Sequence, residues 1–411
     1  MSDRSGAEGP LAHPGADAPL TPPTNERGAD PPTLESLGYS DRWRALFAAH
    51  AGAGHVPARV VRSGRGSAVV AAPHGVVRAV PSARLRRGRA GGAGHARPDG
   101  RLRADGGAGT DGPPACGDWV VLDPAPTHEA AVIEAILPRA SAFTRGASDE
   151  TSTPQVIAAN VDTVFVVHPV EPEPNLRRIE RELALAWESG AVPVVVLTKA
   201  DLAEAADAES CAADVRDVAL GVDVLVTSAT AGIGIEVVRA YAGEGKTVAL
   251  IGPSGVGKST LINALLGEQR QATREVRVAD GKGRHTTVTR ELVPLPGGGV
   301  LLDTPGMRAV VMVDAQDGIA TAFSDITALA GGCRFRDCTH AREPGCAVLA
   351  AIERGDLPPE RLASWHKLQR EAQVAAMKTD ARLRNEEVRR WKIIHKSAKE
   401  HYRQKGRSDG S

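Results

Sequence analysis

Nine residues constrain this chain more than any others: Gly252-Pro253-Ser254-Gly255-Val256-Gly257-Lys258-Ser259-Thr260. They spell G-x-x-x-x-G-K-[ST], a pattern that belongs between a strand and a helix. The apolar run Thr247–Ile251 ahead of it reads as a buried strand, and Leu261–Leu266 behind it continues as a helix. Glycines at such a junction let successive backbone N–H groups turn inward on an anion at the helix N-terminus. Lys258 then offers a point charge to the outer phosphates of a nucleotide, and Ser259 a hydroxyl to Mg²⁺. The bland alternative is a glycine-rich turn before a helix.

A strand that feeds such a loop belongs to a parallel α/β sheet. From Asn160 onward, near-continuous apolar stretches alternate with helical ones: Val161–Val167, Val192–Thr198, Val222–Thr227, Thr247–Gly252 and Val300–Asp303. Strands covered on both faces read this way. Asn175 is placed to cap the first intervening helix, whose Leu176, Ile179, Leu183 and Trp187 share a face. Three further motifs fall at strand ends. Asp303-Thr304-Pro305-Gly306 offers a carboxylate to Mg²⁺, usually through water, and the Gly306 amide to a γ-phosphate. In Thr198-Lys199-Ala200-Asp201, the Asp201 carboxylate can accept both N1–H and the exocyclic amine of guanine, a donor pair that adenine lacks. The Lys199 stem would pack along the base. Thr227-Ser228-Ala229 can present a backbone amide to guanine O6. Each of these is weak alone. Together they mark the carboxyl edge of the sheet, where open α/β sheets bind ligands. The base-reading motifs precede the phosphate loop, whereas in most GTPases they follow it. A circular permutation accounts for the order, keeping the sheet and site while cutting and rejoining the chain elsewhere.

Around this domain the character changes. Residues 1–33 are rich in Pro, Gly, Ala and Asp without apolar periodicity and read as a disordered tail. A short helix is expected over Ser40–His50. Short strands follow at Val56–Arg62, Ala68–Ala72, Val76–Val80, Gly117–Leu122 and Ala131–Leu137, which suggests a small barrel interrupted by the Gly/Ala/Arg-rich Arg86–Pro114. After Ala320 comes Cys333-x4-Cys338-x-His340-x5-Cys346. Three thiolates and an imidazole form a closed tetrahedral set, expected to hold one structural Zn²⁺ and to draw folding free energy from it. A charged helical stretch runs from Pro359 to about Tyr402. The expected division is a tail (1–33), a barrel (34–150, insertion near 86–114), a nucleotide domain (151–320) and a zinc-binding domain with a basic helix (321–411).

The charges sum to zero, with 50 Lys+Arg against 50 Asp+Glu, but they segregate. Between Arg59 and Arg103 there are eleven arginines and a single acid, Asp99, and between Arg361 and Arg407 fourteen Lys+Arg face five acids. Basic residues on a small barrel point to RNA, and with aromatics at only 3% the contacts would be to phosphate rather than to stacked bases. No run approaches the ~20 apolar residues of a membrane span. The cysteines are few and clustered, as expected in a reducing compartment. These features lead us to expect a cytoplasmic protein without a membrane partner; a monomer is the further expectation.

Several phrases together carry a resemblance: Gly117-Asp118-Trp119-Val120, Ile136-Leu137-Pro138-Arg139, Gly283-Arg284-His285-Thr286-Thr287, Asp303–Gly306, and the Cys/His cluster with its embedded Glu343-Pro344-Gly345-Cys346. Over roughly residues 55–370 the chain resembles the circularly permuted GTPases, most closely the ribosome small-subunit-dependent GTPase A (RsgA) family. The resemblance implies an OB-fold barrel, a permuted P-loop GTPase domain and a C-terminal helical zinc domain. It also implies hydrolysis of GTP to GDP and phosphate, stimulated by the small ribosomal subunit and its rRNA during late subunit maturation. Lys258, Asp303 and His285 would then be catalytic. Met307 stands where many GTPases carry a water-orienting Gln, and the resemblance assigns that task to His285, with Thr286 or Thr287 completing the Mg²⁺ shell. Thr198 replaces the usual Asn, so one hydroxyl must do the work of an amide. Two other readings use the same motifs. One is an RNA-binding module locked by GTP with incidental turnover. The other is an ATPase or small-molecule kinase, against which Thr198–Asp201 argues.

Overall fold

The computed structural model describes residues 33–52, 54–64, 66–87, 112–124, 130–145, 155–267, 290–303 and 315–379. The expected tail up to residue 32, most of the Arg86–Pro114 insertion and the chain beyond Thr379 lie outside the described residues.

Five strands close the expected barrel: β1 (Val56–Ser63), β2 (Ala68–Ala72), β3 (Gly75–Pro81), β4 (Trp119–Asp123) and β5 (Ala131–Ile136). Their order is β1-β2-β3-β5-β4, and β4 pairs back onto β1, which removes the open edges. Alternate residues face inward, as the two-residue period of a strand requires: Ala58 and Val60, Ala68 and Val70, Val120 and Leu122. A five-stranded barrel is narrow, and Ala and Val fill it, so the chain's scarcity of aromatics costs it little. The helix Asp41–Ala48 packs outside, where Trp43 and Tyr39 meet Trp119 with ring centroids 5.8 and 5.1 Å away.

The far end of β1, still paired with β2, pairs on its other side with β12 (Arg290–Pro294), so barrel and α/β sheet form one hydrogen-bonded surface. A hairpin of β6 (Ala142–Arg145) and β7 (Gln155–Ala159) connects the two. The α/β sheet consists of β8 (Thr163–Pro169), β9 (Val192–Thr198), β10 (Val224–Val226), β11 (Thr247–Ile251), β12 and β13 (Val300–Asp303), in the order β10-β9-β8-β11-β13-β12. All neighbours are parallel except the β12–β13 pair. Strand β11, which leads into the phosphate loop, is central. The strands that precede it in sequence lie on one side and those that follow lie on the other. The helix Leu176–Ser189 covers one face. Asn175 caps it by accepting from the Arg178 N–H at 3.1 Å, and Ile179 and Leu183 are buried beneath it. Two strand starts in the α/β sheet differ from expectation. The first strand starts at Thr163 because Asp162 turns the chain, accepting the Thr247 N–H on its carboxylate and giving its own N–H to the Thr247 carbonyl. The third is trimmed to Val224–Val226 because the Val222 N–H closes the preceding helix end on Ala219.

Beyond the sheet, the helices Gln316–Ala322, Ser324–Ala330 and Ala347–Arg354 precede the long helix Pro359–Thr379, the described part of the stretch expected to reach Tyr402. Among the described residues no helix is long and apolar enough to cross a membrane.

Candidate nucleotide site and metal centre

The phosphate-loop residues sit where the sequence places them, between β11 and the helix Lys258–Leu266. Gly252 enters the loop at φ +139°, and a Cβ there would lie 2.2 Å from the Val167 carbonyl oxygen of β8, so no other residue fits. The Lys258 ammonium donates to the carbonyls of Gly252, at 2.9 Å, and Pro253, folding over the loop. Ser259 and Thr260 lie in the first helical turn. Thr198, at the end of β9, donates its hydroxyl to the Val256 carbonyl at 2.5 Å, with the His168 carbonyl further off at 3.2 Å. One hydroxyl therefore braces the loop to β9. Asp303 ends β13 beside β11, at the same edge of the sheet. His285, Thr286, Thr287, Gly306 and Met307 lie outside the described residues.

The corner expected to read the base is built from two adjacent strand ends. Lys199 adopts a left-handed backbone (φ +60°), and the Ala200 N–H donates to the Thr227 carbonyl, which turns Asp201 onto the loop after β10. There the Ser228 hydroxyl donates to Asp201 Oδ1 at 2.6 Å and the Thr230 hydroxyl to Oδ2 at 3.1 Å. These bonds, Ser228 first, hold the Asp201 carboxyl below its ordinary range. The Ser228 N–H is committed to the Ile233 carbonyl, which leaves the expected amide contact to Ala229. The sequence points to the amides of 227–229; the structure shows that the hydroxyls of Ser228 and Thr230 act here as well. The alternation Ser228-Ala229-Thr230, with hydroxyls two residues apart at a strand end, was the available signal.

Cys333, Cys338, His340 and Cys346 converge, with all four ligand atoms within 4.8 Å of one another. Zn–S bonds of ~2.3 Å and Zn–N of ~2.0 Å at tetrahedral angles separate sulfurs by about 3.8 Å and sulfur from nitrogen by about 3.5 Å. The observed separations are 3.9 Å for Cys333–Cys346 and 3.6 and 3.4 Å from His340 Nδ1 to Cys333 and Cys346. The residues fit zinc. His340 reaches in from a left-handed backbone (φ +57°), and the turn around it is tied by Glu343, which accepts the N–H groups of Thr339, Ala341 and Arg342. Burial pushes the Cys333 thiol up, but the amides of Ala347 and Val348, together with the thiols of Cys346 and Cys338, hold it below its usual value.

The basic patches need correction. Arg59 is 1% exposed and donates to the carbonyls of Leu37 and Asn160 and to Thr247 Oγ1, so it binds no phosphate. Arg62 is paired with Glu291 at 2.7 Å. Arg361 is buried against Glu180 and Asp325. Arg78, Arg84 and Arg86 are exposed, as the patch reading requires; Arg65, the side chain of Arg87 and the residues beyond it lie outside the described set. The pattern of arginines did not show that some join parts of the molecule.

The family phrases now have physical content. A Cβ on Gly117 (φ +93°) would lie 2.0 Å from the Ala159 carbonyl oxygen, and buried Asp118 takes a two-pronged ion pair from Arg139, with both bonds at 2.7 Å. Comparison with known proteins agrees. The family model described as RsgA GTPase matches residues 136–313. The protein named small ribosomal subunit biogenesis GTPase RsgA from Streptomyces avermitilis is 46% identical over 86% of this chain and 90% of its own. Its namesake from Opitutus terrae is 43% identical over 91% and 99%. The crystal structure of YjeQ from Thermotoga maritima covers 77% of this chain and 98% of its own at a TM-score of 0.56 and 26% identity. The structure titled YloQ, a circularly permuted GTPase, shares the fold at a TM-score of 0.52 and 22% identity over 79% and 97%. With the permuted order of motifs on a single sheet, the barrel ahead of it and the Cys₃His set behind, this chain belongs to the RsgA family of circularly permuted GTPases.

Proposed function

We propose that the protein acts in small ribosomal subunit biogenesis, binding the subunit through its rRNA and hydrolysing GTP to GDP and phosphate with turnover stimulated by that contact, late in maturation. The observation that carries this reading is the bond from Thr198 to Val256, which fastens a guanine-selecting strand end to a phosphate-binding loop. Asp201 reads the base edge, and the amides of Gly252–Thr260 with Lys258 hold the phosphates. Lys258 and Asp303 lie at the edge where charge develops as the γ-phosphate leaves. Ser259, Asp303 and Thr286 or Thr287 are the hard oxygen donors that suit Mg²⁺, which when bound neutralises phosphate charge. His285 orients the attacking water, because Met307 has no group to do so. Gly306 contacts the γ-phosphate. Zinc is structural and the chain acts as a cytoplasmic monomer. The runner-up, a GTP-locked RNA-binding module, shares every one of these contacts except the water-orienting step.

Phosphate contacts from exposed arginines such as Arg78, Arg84 and Arg86, with Arg389, Arg390, Lys392, Lys396 and Lys399 of the tail, release counterions. Subunit binding should weaken roughly 10³-fold from about 50 to 200 mM salt. Linkage requires that a preference of the subunit for the GTP form equal the factor by which subunits favour GTP over GDP. Binding of the protein loaded with GDP or a non-hydrolysable GTP analogue, measured across that salt series, checks both statements. A flat salt response removes the phosphate contacts, and equal affinity in the two nucleotide states removes the switch.

A further inference from the structure

The Asp201 carboxylate is held by two hydroxyls, one on each oxygen. Each hydroxyl carries one proton. Ser228 spends its proton on Oδ1 and accepts the Ala231 N–H at 3.1 Å, and Thr230 spends its proton on Oδ2. The two hydroxyl oxygens lie 3.0 Å apart. The loop that presents them is closed by a reciprocal pair of backbone bonds between Ser228 and Ile233, at 3.0 and 2.9 Å, so Thr230 is held at a short, pinned span. A carboxylate held through one oxygen can still swing about its terminal torsion, which is broad and soft. One held through both oxygens has its plane fixed, and of a carboxylate's roughly four lone-pair sites the two hydroxyls take two.

We propose that Thr230 is a positioning residue for guanine selection: by bonding Oδ2 it fixes the plane of the Asp201 carboxylate so that both oxygens face the N1–H and exocyclic amine of guanine together. This rests on Asp201 reading the base. Thr230 does not touch the nucleotide. Its effect falls on the contact made by the second oxygen, so it sharpens discrimination between guanine and hypoxanthine, which keeps N1–H and lacks the exocyclic amine.

The test is equilibrium binding of GDP and IDP to the full-length protein and to Thr230→Val, Thr230→Ser and Asp201→Asn, with XDP added for the last. Thr230 is exposed, so Thr230→Val folds normally, and its melting temperature verifies this. We expect Thr230→Val to lose about three- to tenfold in GDP affinity, the range of one hydrogen bond, with a smaller loss for IDP, so that the GDP-to-IDP ratio falls. Thr230→Ser, which keeps the hydroxyl, should restore both. A merely structural role would lower both affinities in proportion and leave the ratio unchanged, and that result overturns the proposal. So does an unchanged GDP affinity in Thr230→Val. Asp201→Asn separates the two levels. If it gains XDP binding while Thr230→Val leaves the ratio alone, base reading stands and only the positioning role fails. If it leaves GDP affinity and XDP rejection intact, base reading itself fails.

Discussion

The barrel and the C-terminal segment each send one buried arginine into the α/β domain, and the two ties are made differently. Arg59 reaches from β1 to neutral groups: the carbonyls of Leu37 and Asn160 and the hydroxyl of Thr247 at the foot of β11, with Trp119 beneath its guanidinium at 5.2 Å. Burial pulls its pKa down to about 10, the mark of a charge taken from water with no carboxylate bonded to it. Arg361, from the helix Pro359–Thr379, meets carboxylates: Glu180 of the helix Leu176–Ser189 at 2.8 Å and Asp325 at 2.5 and 3.0 Å, with Phe323 under it at 4.7 Å. The C-terminal side has the zinc set in addition. The barrel tie is therefore a charge solvated by the backbone, and the C-terminal tie is an ion pair whose acids depend on the arginine. Removing the arginine strands neutral acceptors in one case and, in the other, the buried carboxylate of Glu180 beside the half-buried Asp325.

The largest effect should come from zinc. Structural sites of this class supply about 10–16 kcal/mol of binding free energy. Chelation, or Cys338→Ser, should release the metal and expose residues 333–379 to proteolysis while GDP binding persists; native mass spectrometry of the intact protein should find one zinc. An intact C-terminal segment without metal would mean that Arg361 suffices alone. Next comes Arg361→Met, which leaves Glu180 and Asp325 without their partner and should cost about 3–5 kcal/mol in denaturant unfolding. Arg59→Met keeps the stem and strands neutral acceptors, at about 1–3 kcal/mol. Equal losses in these two variants would erase the distinction drawn between them.

The smallest effect is Glu180→Gln, under about 1 kcal/mol, because an amide still accepts from Arg361. Its pH dependence is more telling. Burial, outweighing Ser364 and Arg361, raises the Glu180 carboxyl above its ordinary value. A raised carboxyl favours the folded state most when protonated, so its contribution is complete below the unfolded value and lost as pH rises through the folded one. The wild type should gain stability relative to Glu180→Gln as pH falls from neutral. A flat difference would mean that Arg361 fully offsets the burial.

The sequence exposed the strand-end motifs because their chemistry demands fixed residue types at fixed places: Gly252 where only glycine fits, Lys258 one residue past Gly257, three cysteines and a histidine in fourteen residues. It exposed the sheet through uninterrupted apolar strands. It did not expose Arg59 or Arg361, because an arginine in a basic stretch looks the same whether it faces solvent or a carbonyl a hundred residues away. Asn160 and Thr247 are 101 and 188 residues from Arg59 along the chain. Thr230 was missed for a related reason: its partner Asp201 is 29 residues off, on another strand end.

The central claim, a GTPase stimulated by the small subunit, is tested most directly by multiple-turnover phosphate release at saturating GTP, titrated with purified small ribosomal subunits, beside the His285→Ala protein. We predict slow intrinsic turnover that rises and saturates with subunits, and a variant that binds GTP normally but responds little. Turnover indifferent to subunits at concentrations where the complex is shown to form would contradict the account and leave the GTP-locked binding module in its place.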